Sequence, residues 1–377
     1  ATAIAFPAAC CRVFNGKSRL QNAYNCSLPG DKPIQPRRCD MKKKWVVNVM
    51  IFGVVLFLLV LTSQAFSATP YYEGKTIRII VGFKPGGGYD RLARLMAKHL
   101  PKHIPGQPTV IVENMEGASS IIAANHVFNI AKPDGLTIVA FNRGIPFAQL
   151  TNVEGVKFDI AKFSWIGSAA VEATVLCIRN DLPYKTFADL QKVKESIPLA
   201  GMGPGTSDTQ FALLAKEFLG VNLKLIIYPS SSDAMLAIER KEVDGRGGSY
   251  SSLKPFIDRG LVRPVLRGAV SEPGIENLPV NEDLATNPTG KVIMGMLAST
   301  DRIGRPYVAP PGTSPELMNI LRDAFAKVSN DPEAKKDAKK NKMQITYVPV
   351  EDVTKTLNYL MNQPADIVKE FAKYIKF

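Results

Sequence analysis

Histidine is scarce in this chain: His99, His103 and His126 are its only three. No G-x-S-x-G elbow and no C-x-x-C pair stands beside them, and the acids are scattered, so no acid–base pair can be nominated. "HLPKH" has the i,i+4 spacing of two metal ligands, but Pro101 breaks the helix between them, which favours exposed helix-end histidines over a metal site. "PSSSDA" reads as a turn and an N-cap rather than a serine nucleophile. Cysteine is equally thin after residue 41. Cys10, Cys11, Cys26 and Cys39 precede it, leaving Cys177 alone in an apolar run. A lone cysteine cannot close an internal disulfide, and in such a run it is a small core residue. No cofactor is expected.

What is abundant at first sight is positive charge, a formal net +13. Nine Lys and Arg fall before Thr69 against Asp31 and Asp40, which leaves +6 over the rest. The basic excess there is dispersed apart from "EAKKDAKKNKMQ", the pattern of a solvated helix face, so nucleic acid is not an expected partner. "MKKKWVVNVMIFGVVLFLLVLTSQAFSA" begins at Met41 with a cationic stretch, continues through an apolar run from Trp45 to Leu61, and ends in small residues. That is the layout of a secretory signal peptide, with an uncut membrane anchor as the alternative. The reading therefore expects residues 1–40 to be a spurious upstream extension, 41–68 to be the signal peptide, and the mature chain to be periplasmic.

From Tyr71 strands and helices alternate. "TIRIIVGF" reads as a buried strand, with "TVIVEN" and "LTIVAFN" as a second and a third strand. Between them lie a helix carrying Leu92, Leu95, Met96 and Leu100 on one face and a second helix in "ASSIIAANHVFNIA". "SWIGSAAVEATVLCIRN" reads as one long strand. "PLAGMGPGTSDTQFALLAKEFLG" then repeats the opening strand–glycine loop–helix design, with Phe211, Leu214, Ala215 and Phe218 on the apolar face. "LKLIIYP" and "VRPVLRGAV" are further strands, and "DAMLAIERKEVDGRGG" a helix running into a turn. Ser314 and Pro315 open a long helix as N-cap and first residue. "QITYVPV" reads as a last strand before two helical stretches. Connections too long for hairpins imply parallel βαβ units, hence an α/β fold of two similar lobes joined by two crossings. The lobes are placed at 69–172 with 301–377, and at 173–300.

The loop "KPGGGYD" poses the functional question. Tyr89 and Asp90 stand where a Walker A loop needs Lys and Ser or Thr, and Arg91 stands where a dinucleotide fingerprint needs its third glycine. "GMGPGT" is off pattern in the same way. A glycine turn entering a helix still bares backbone N–H groups at the positive end of the helix dipole, which suits a small anion such as a carboxylate. Asp90 is either the N-cap of that helix or an acceptor for a ligand hydroxyl, water or amino group; both roles can hold together.

The block "KTIRIIVGFKPGGGYDRLARLMAKHLPKHIPGQPTVIVENMEGASSIIAANHVFNIAKPDGLTIV" resembles the opening of the tripartite tricarboxylate transporter extracytoplasmic solute receptors. Pro85, Gly87, Gly88, Asp90, Arg94, Val112, Asn114, Gly117, Ala118, Pro133, Asp134 and Gly135 fit their pattern, with one residue fewer between Gly88 and Asp90. "LPYKTFADLQ", "AIERKEVDG" and "APPGTSPELMNILRDAFAKVSNDPE" match later blocks in order. The resemblance implies a two-lobed, monomeric periplasmic binding protein that closes on an organic anion, a di- or tricarboxylate or an aromatic acid. It would deliver this to a large and a small membrane subunit. Carried over, the gripping residues are Gly87, Gly88, Tyr89 and Asp90 in the first lobe and Gly203, Gly205, Thr206, Ser207 and Asp208 in the second. Arg143 in "FNRGIP" and Arg246 in "VDGRGGSYSSLKP" depart from the common pattern. Each is either a structural salt bridge or a bidentate clamp on a second carboxylate. The rival readings are a secreted α/β enzyme acting on a carboxylate or phosphate, and a membrane-tethered ligand sensor.

Overall fold

The computed structural model describes Met50 and residues 69–374. The upstream extension and most of the signal segment lie outside the described residues.

Among the described residues, ten strands form two five-stranded sheets. The first holds β1 (Thr76–Val81), β2 (Thr109–Asn114), β3 (Thr137–Ala140), β4 (Ser164–Ser168) and β10 (Pro306–Ala309), in the order β2-β1-β3-β10-β4. The second holds β5 (Thr174–Arg179), β6 (Ile197–Gly201), β7 (Leu223–Ile227), β8 (Gly245–Ser249) and β9 (Val262–Arg267), in the order β7-β6-β8-β5-β9. The two sheets share one plan. Three parallel strands, with the first in sequence at their centre, are followed by one antiparallel strand that the chain supplies from the far side of a crossing.

β3 and β5 are apolar on both faces because both faces are covered, whereas the edge strands β2 and β7 are half-buried. In β1, Ile77, Ile79 and Val81 pack with Leu92, Met96 and Phe325, while Ile80 points to the opposite face. In β5, Val175 and Cys177 face Ala234 and Ile238, whereas Leu176 and Ile178 join the core that runs through both lobes. That shared core includes Phe141 and Phe147 of the first lobe, Leu199 and Leu214 of the second, and Met294 and Phe371 of bridging helices. Cys177 is fully buried, as its apolar setting implies.

Three sequence expectations need correction. "SWIGSAAVEATVLCIRN" is two strands in different sheets, with the crossing at 169–173. Ala169 and Ala170 are as buried as the strands on either side, so hydropathy gives no break. "GRGGS" is not a turn but β8, paired to both β5 and β6. Glycine is required there: a Cβ on Gly245 would overlap the Cys177 carbonyl, and one on Gly247 the Asp208 carbonyl. "QITYVPV" is not a strand; it makes one isolated bridge, Ser168 to Val348.

Candidate ligand-binding cleft

The parallel strands of both sheets end at one shared gap. Loops 82–88, 115–119 and 141–143 leave the carboxyl ends of β1, β2 and β3, and 202–207 and 228–231 leave those of β6 and β7. Ligands of open α/β sheets settle at such edges because helix N-termini and loops converge there. Between the lobes lies a cleft of about 640 Å³, the size of a small-molecule site.

The two glycine loops face each other across it. Asn142 Nδ2 of the first lobe donates to the Gly205 carbonyl of the second at 2.8 Å, and its Oδ1 accepts from Gly144 N at 3.0 Å. Gly88 admits the other side: a Cβ there would overlap Ser252 Oγ and crowd the Arg305 guanidinium. Next to these lies a strained turn. Ala118, Ser119 and Ser120 have φ of 43°, 52° and 82°, three successive non-glycine residues in the left-handed region. Ser120 pins it by donating to the Gly82 carbonyl at 3.0 Å and accepting from Asn142 N at 3.2 Å. Ala118 and Ser119 line the cleft as a result.

Three buried arginines form its polar wall, each 2% exposed. Arg143 Nη2 donates to Thr174 Oγ1 at 2.9 Å and Nη1 to Ser249 Oγ at 3.3 Å, while Nε lies 3.2 Å from Asp301 Oδ1. Arg305 Nε donates to Glu172 at 2.7 Å, and its guanidinium lies 4.3 Å over the Tyr89 ring. Burial is the largest influence on both arginines and opposes their charge, but Asp301, Tyr89 and Asp208 around Arg143, and Glu172 and Tyr89 around Arg305, together outweigh it and raise both pKa values. In return burial lifts Asp301 to about 6, with Arg143 and Thr174 pulling it back. Arg246 differs. Its Nε bonds the Gly247 carbonyl at 2.8 Å and Nη1 bonds Ser231 Oγ at 2.9 Å, but its only acid is Asp208 at 3.7 Å from Nη2. Burial therefore holds its pKa below the usual arginine value despite Asp208. An arginine remains charged at any ordinary pH, so the cleft wall carries a cation with weak compensation. Lys84, Arg143, Arg246 and Arg305 line the gap against Glu116 and Asp208. Glu172 and Asp301 sit behind the arginines rather than in the lining.

Of the sequence-derived site residues, Gly87, Gly88, Tyr89, Arg143, Gly203, Thr206, Ser207, Asp208 and Arg246 line this cleft. Asp90 and Gly205 do not. Gly205 contributes its carbonyl to the strut from Asn142. Asp90 is 2% exposed and turned inward: it accepts from Gly86 N at 2.9 Å, Arg94 Nη2 at 2.9 Å and Asn114 Nδ2 at 3.0 Å. Burial alone would raise its pKa, but those three donors lower it. Nor is it the N-cap, which is Gly87. As third residue of the helix, Asp90 reaches back past the N-cap to the loop and accepts from Gly86 N, one residue before Gly87. His99 is also corrected: it is 4% exposed and bonded to Asp337 at 2.9 Å, not an exposed helix end. Sequence reasoning missed Arg305, Asn142 and Ser119. Arg305 pairs with an acid 133 positions away, and no local pattern announces such a contact.

Two α/β lobes with their strand ends and helix starts turned to a common polar cleft define a solute-binding protein of the periplasmic type. Residues 92–372 match the model of the tripartite tricarboxylate transporter family receptor, and the chain belongs to that family. A UPF0065 protein of Bordetella pertussis is 28% identical over 318 residues, covering 83% of this chain and 94% of that protein. Among solved structures, the periplasmic binding protein BugD superposes with a TM-score of 0.67 at 22% identity, covering 80% of this chain and 98% of that one. MatC from Rhodopseudomonas palustris, solved with bound malate, gives 0.62 at 20% identity, covering 80% and 99%. An R. palustris protein solved with adipate gives 0.65 at 20% identity, covering 79% and 97%. At these identities the solved structures speak for the fold.

Proposed function

We propose that this chain captures a small organic anion, a carboxylate, in the interlobe cleft, and hands it unaltered to the large and small membrane subunits of a tripartite tricarboxylate-type transporter. The observation that carries the reading is Arg246: a buried guanidinium on the cleft wall whose Nη2 makes no hydrogen bond among the described residues. A desolvated cation of this kind is stabilised by an incoming carboxylate, through charge-assisted hydrogen bonds. The malate and adipate held by two structural relatives are consistent with that chemistry. The bound residues would be Gly87, Gly88, Tyr89, Arg143, Gly203, Thr206, Ser207, Asp208 and Arg246. The lobes would comprise 69–172 with 301–377, and 173–300, acting as a monomer. Export from Met41 into the periplasm completes the proposal, and N-terminal sequencing of secreted protein tests that part: retention of Trp45–Leu61 would favour a tethered sensor.

Closure on ligand follows from differential contact, since both lobes contribute polar groups that only a bridging anion satisfies together. The cleft lining contains no histidine or cysteine among the described residues, so a receptor role needs fewer assumptions than an enzymatic one. A thermal-shift screen of carboxylates followed by calorimetry tests it. The expected outcome is 1:1 binding with the ligand recovered intact. Turnover of a hit into a new product would support the enzyme reading instead.

A further inference from the structure

We infer that Asp208 reads a hydrogen-bond donor on the ligand, so that the cleft selects a carboxylate bearing a hydroxyl or ammonium group on the adjacent carbon over the corresponding plain acid. This rests on the carboxylate-receptor reading and narrows its substrate class.

The argument is an inventory of unfilled polar capacity. An ionised carboxylate accepts about four hydrogen bonds. The side-chain partners of Asp208 are Arg143 Nη2, 3.4 Å from Oδ1, and Arg246 Nη2, 3.7 Å from Oδ2. The first is a long hydrogen bond and the second is only a charge contact. Both arginines make their hydrogen bonds elsewhere: Arg143 has Thr174 and Ser249, with Asp301 beside it, and Arg246 has Ser231 and the Gly247 carbonyl, taking from Asp208 only a distant counter-charge. The Asp208 side chain is also the exposed member of the trio, at 15% against 2% for each arginine. Its acceptors are therefore available at the cleft surface rather than consumed in a salt-bridge network.

Two further groups stand unfilled beside it. Arg246 Nη2 has donors to spare, and Ser207 Oγ, on a residue 4% exposed in the cleft lining, has no partner among the described residues. Arg246 Nη2 and Asp208 Oδ2 are 3.7 Å apart. A ligand meeting both must present an anionic acceptor and a donor on neighbouring carbons, three bonds apart. The carboxylate and α-substituent of a hydroxy or amino acid have that spacing; a plain acid leaves Asp208 facing the ligand's own negative charge. A site that hydrogen-bonds a substituent rejects the analogue lacking it, because its buried polar group is then stranded.

Calorimetric titration of the full chain with matched acids tests this: succinate, malate and aspartate; glutarate, 2-hydroxyglutarate and glutamate; phenylacetate and mandelate. The tightest ligand should carry the substituent and bind at least about tenfold more tightly than its plain parent. In Asp208→Ala that ratio should fall to within about threefold, with the plain acid binding as well as or better than before, since a carboxylate has left an anion site. Asp208→Asn preserves size and serves if the alanine variant unfolds; it should lose the preference for the ammonium acid first. Equal binding of plain and substituted acids by the parent, or an unchanged ratio in both variants, overturns the inference while leaving a carboxylate receptor intact. Failure of every acid in the series to bind contradicts the receptor reading itself.

Discussion

The two glycine loops are built alike and use their aspartates in opposite ways. Asp90 is the third residue of its helix and Asp208 the second of its own. One residue rotates a side chain by about 100° around a helix. Asp90 turns back into its loop and is satisfied by Gly86, Arg94 and Asn114. Asp208 turns to the gap and has only distant arginines. The first loop spends its acid on its own shape and meets the cleft with Tyr89, which stacks on Phe83 at 4.7 Å and accepts from Arg143 N at 2.9 Å. The second leaves its acid and the Ser207 hydroxyl for something else. The comparison shows that a glycine-loop motif does not by itself say which polar group will face a ligand.

The largest expected effect comes from removing a buried counter-charge at the lobe junction. Arg143→Ala leaves Asp301 buried without its counter-charge and should cost about 3–5 kcal/mol of stability, visible as a large drop in denaturation midpoint alongside lost binding. Next, the aspartates should separate. Asp90→Ala strands Gly86 N, Arg94 and Asn114, so unfolding should become easier by about 1–3 kcal/mol. Its acid limb should change too. The Asp90 pKa is lowered, so its stabilisation is present above the ordinary value of 3.8 and lost as pH falls through the folded value; the variant should lack that slope. Asp208→Ala, whose contacts to Arg143 and Arg246 are long at 3.4 and 3.7 Å, should cost less stability than Asp90→Ala and act chiefly on ligand preference. Equal stability losses at both positions would erase the contrast between the loops.

A third acid calibrates the comparison. Glu272, which accepts from Gln344 at 3.1 Å, is raised from 4.5 to about 7 by burial and by the charge of Glu172. The folded state holds this proton more tightly than the unfolded one. The contribution is full below about pH 4.5, falls between 4.5 and 7, and is gone above. Glu272→Gln should flatten that slope and raise the midpoint at pH 8 by the equivalent of about 1–3 kcal/mol, with little change at pH 4.5 in melts across that range. Smallest of all, Lys84→Ala breaks an exposed 3.9 Å bridge to Glu116 and should move stability by less than about 1 kcal/mol.

Much of the fold was legible because hydrophobic alternation and capping are local. β1, β2, β6 and β7 announce themselves as apolar runs, and Ser314 caps its helix by accepting from Leu317 N. What escaped depends on distant partners. β8 is mostly glycine because Cys177 and Asp208 press on it, a constraint absent from its own composition. The crossing at 169–173 is hidden because the small residues there are buried on both sides. In the site, the loops were found from their glycines and helix starts, and Arg143 and Arg246 from their odd settings. Asp90 was misassigned because its partners Arg94 and Asn114 decide its direction, and Arg305 was missed because Glu172 and Tyr89 reach it only in the folded chain.

The central claim is that buried arginines at the lobe junction hold an anion. Its most direct test is calorimetric titration of the best carboxylate hit into the parent and into Arg246→Gln, a change that retains bulk and polarity and removes the least compensated charge. The account predicts a 1:1 isotherm for the parent and a loss of affinity of at least about a hundredfold, near 2.7 kcal/mol, in a variant that still melts cooperatively. Indistinguishable isotherms from the two proteins would contradict it.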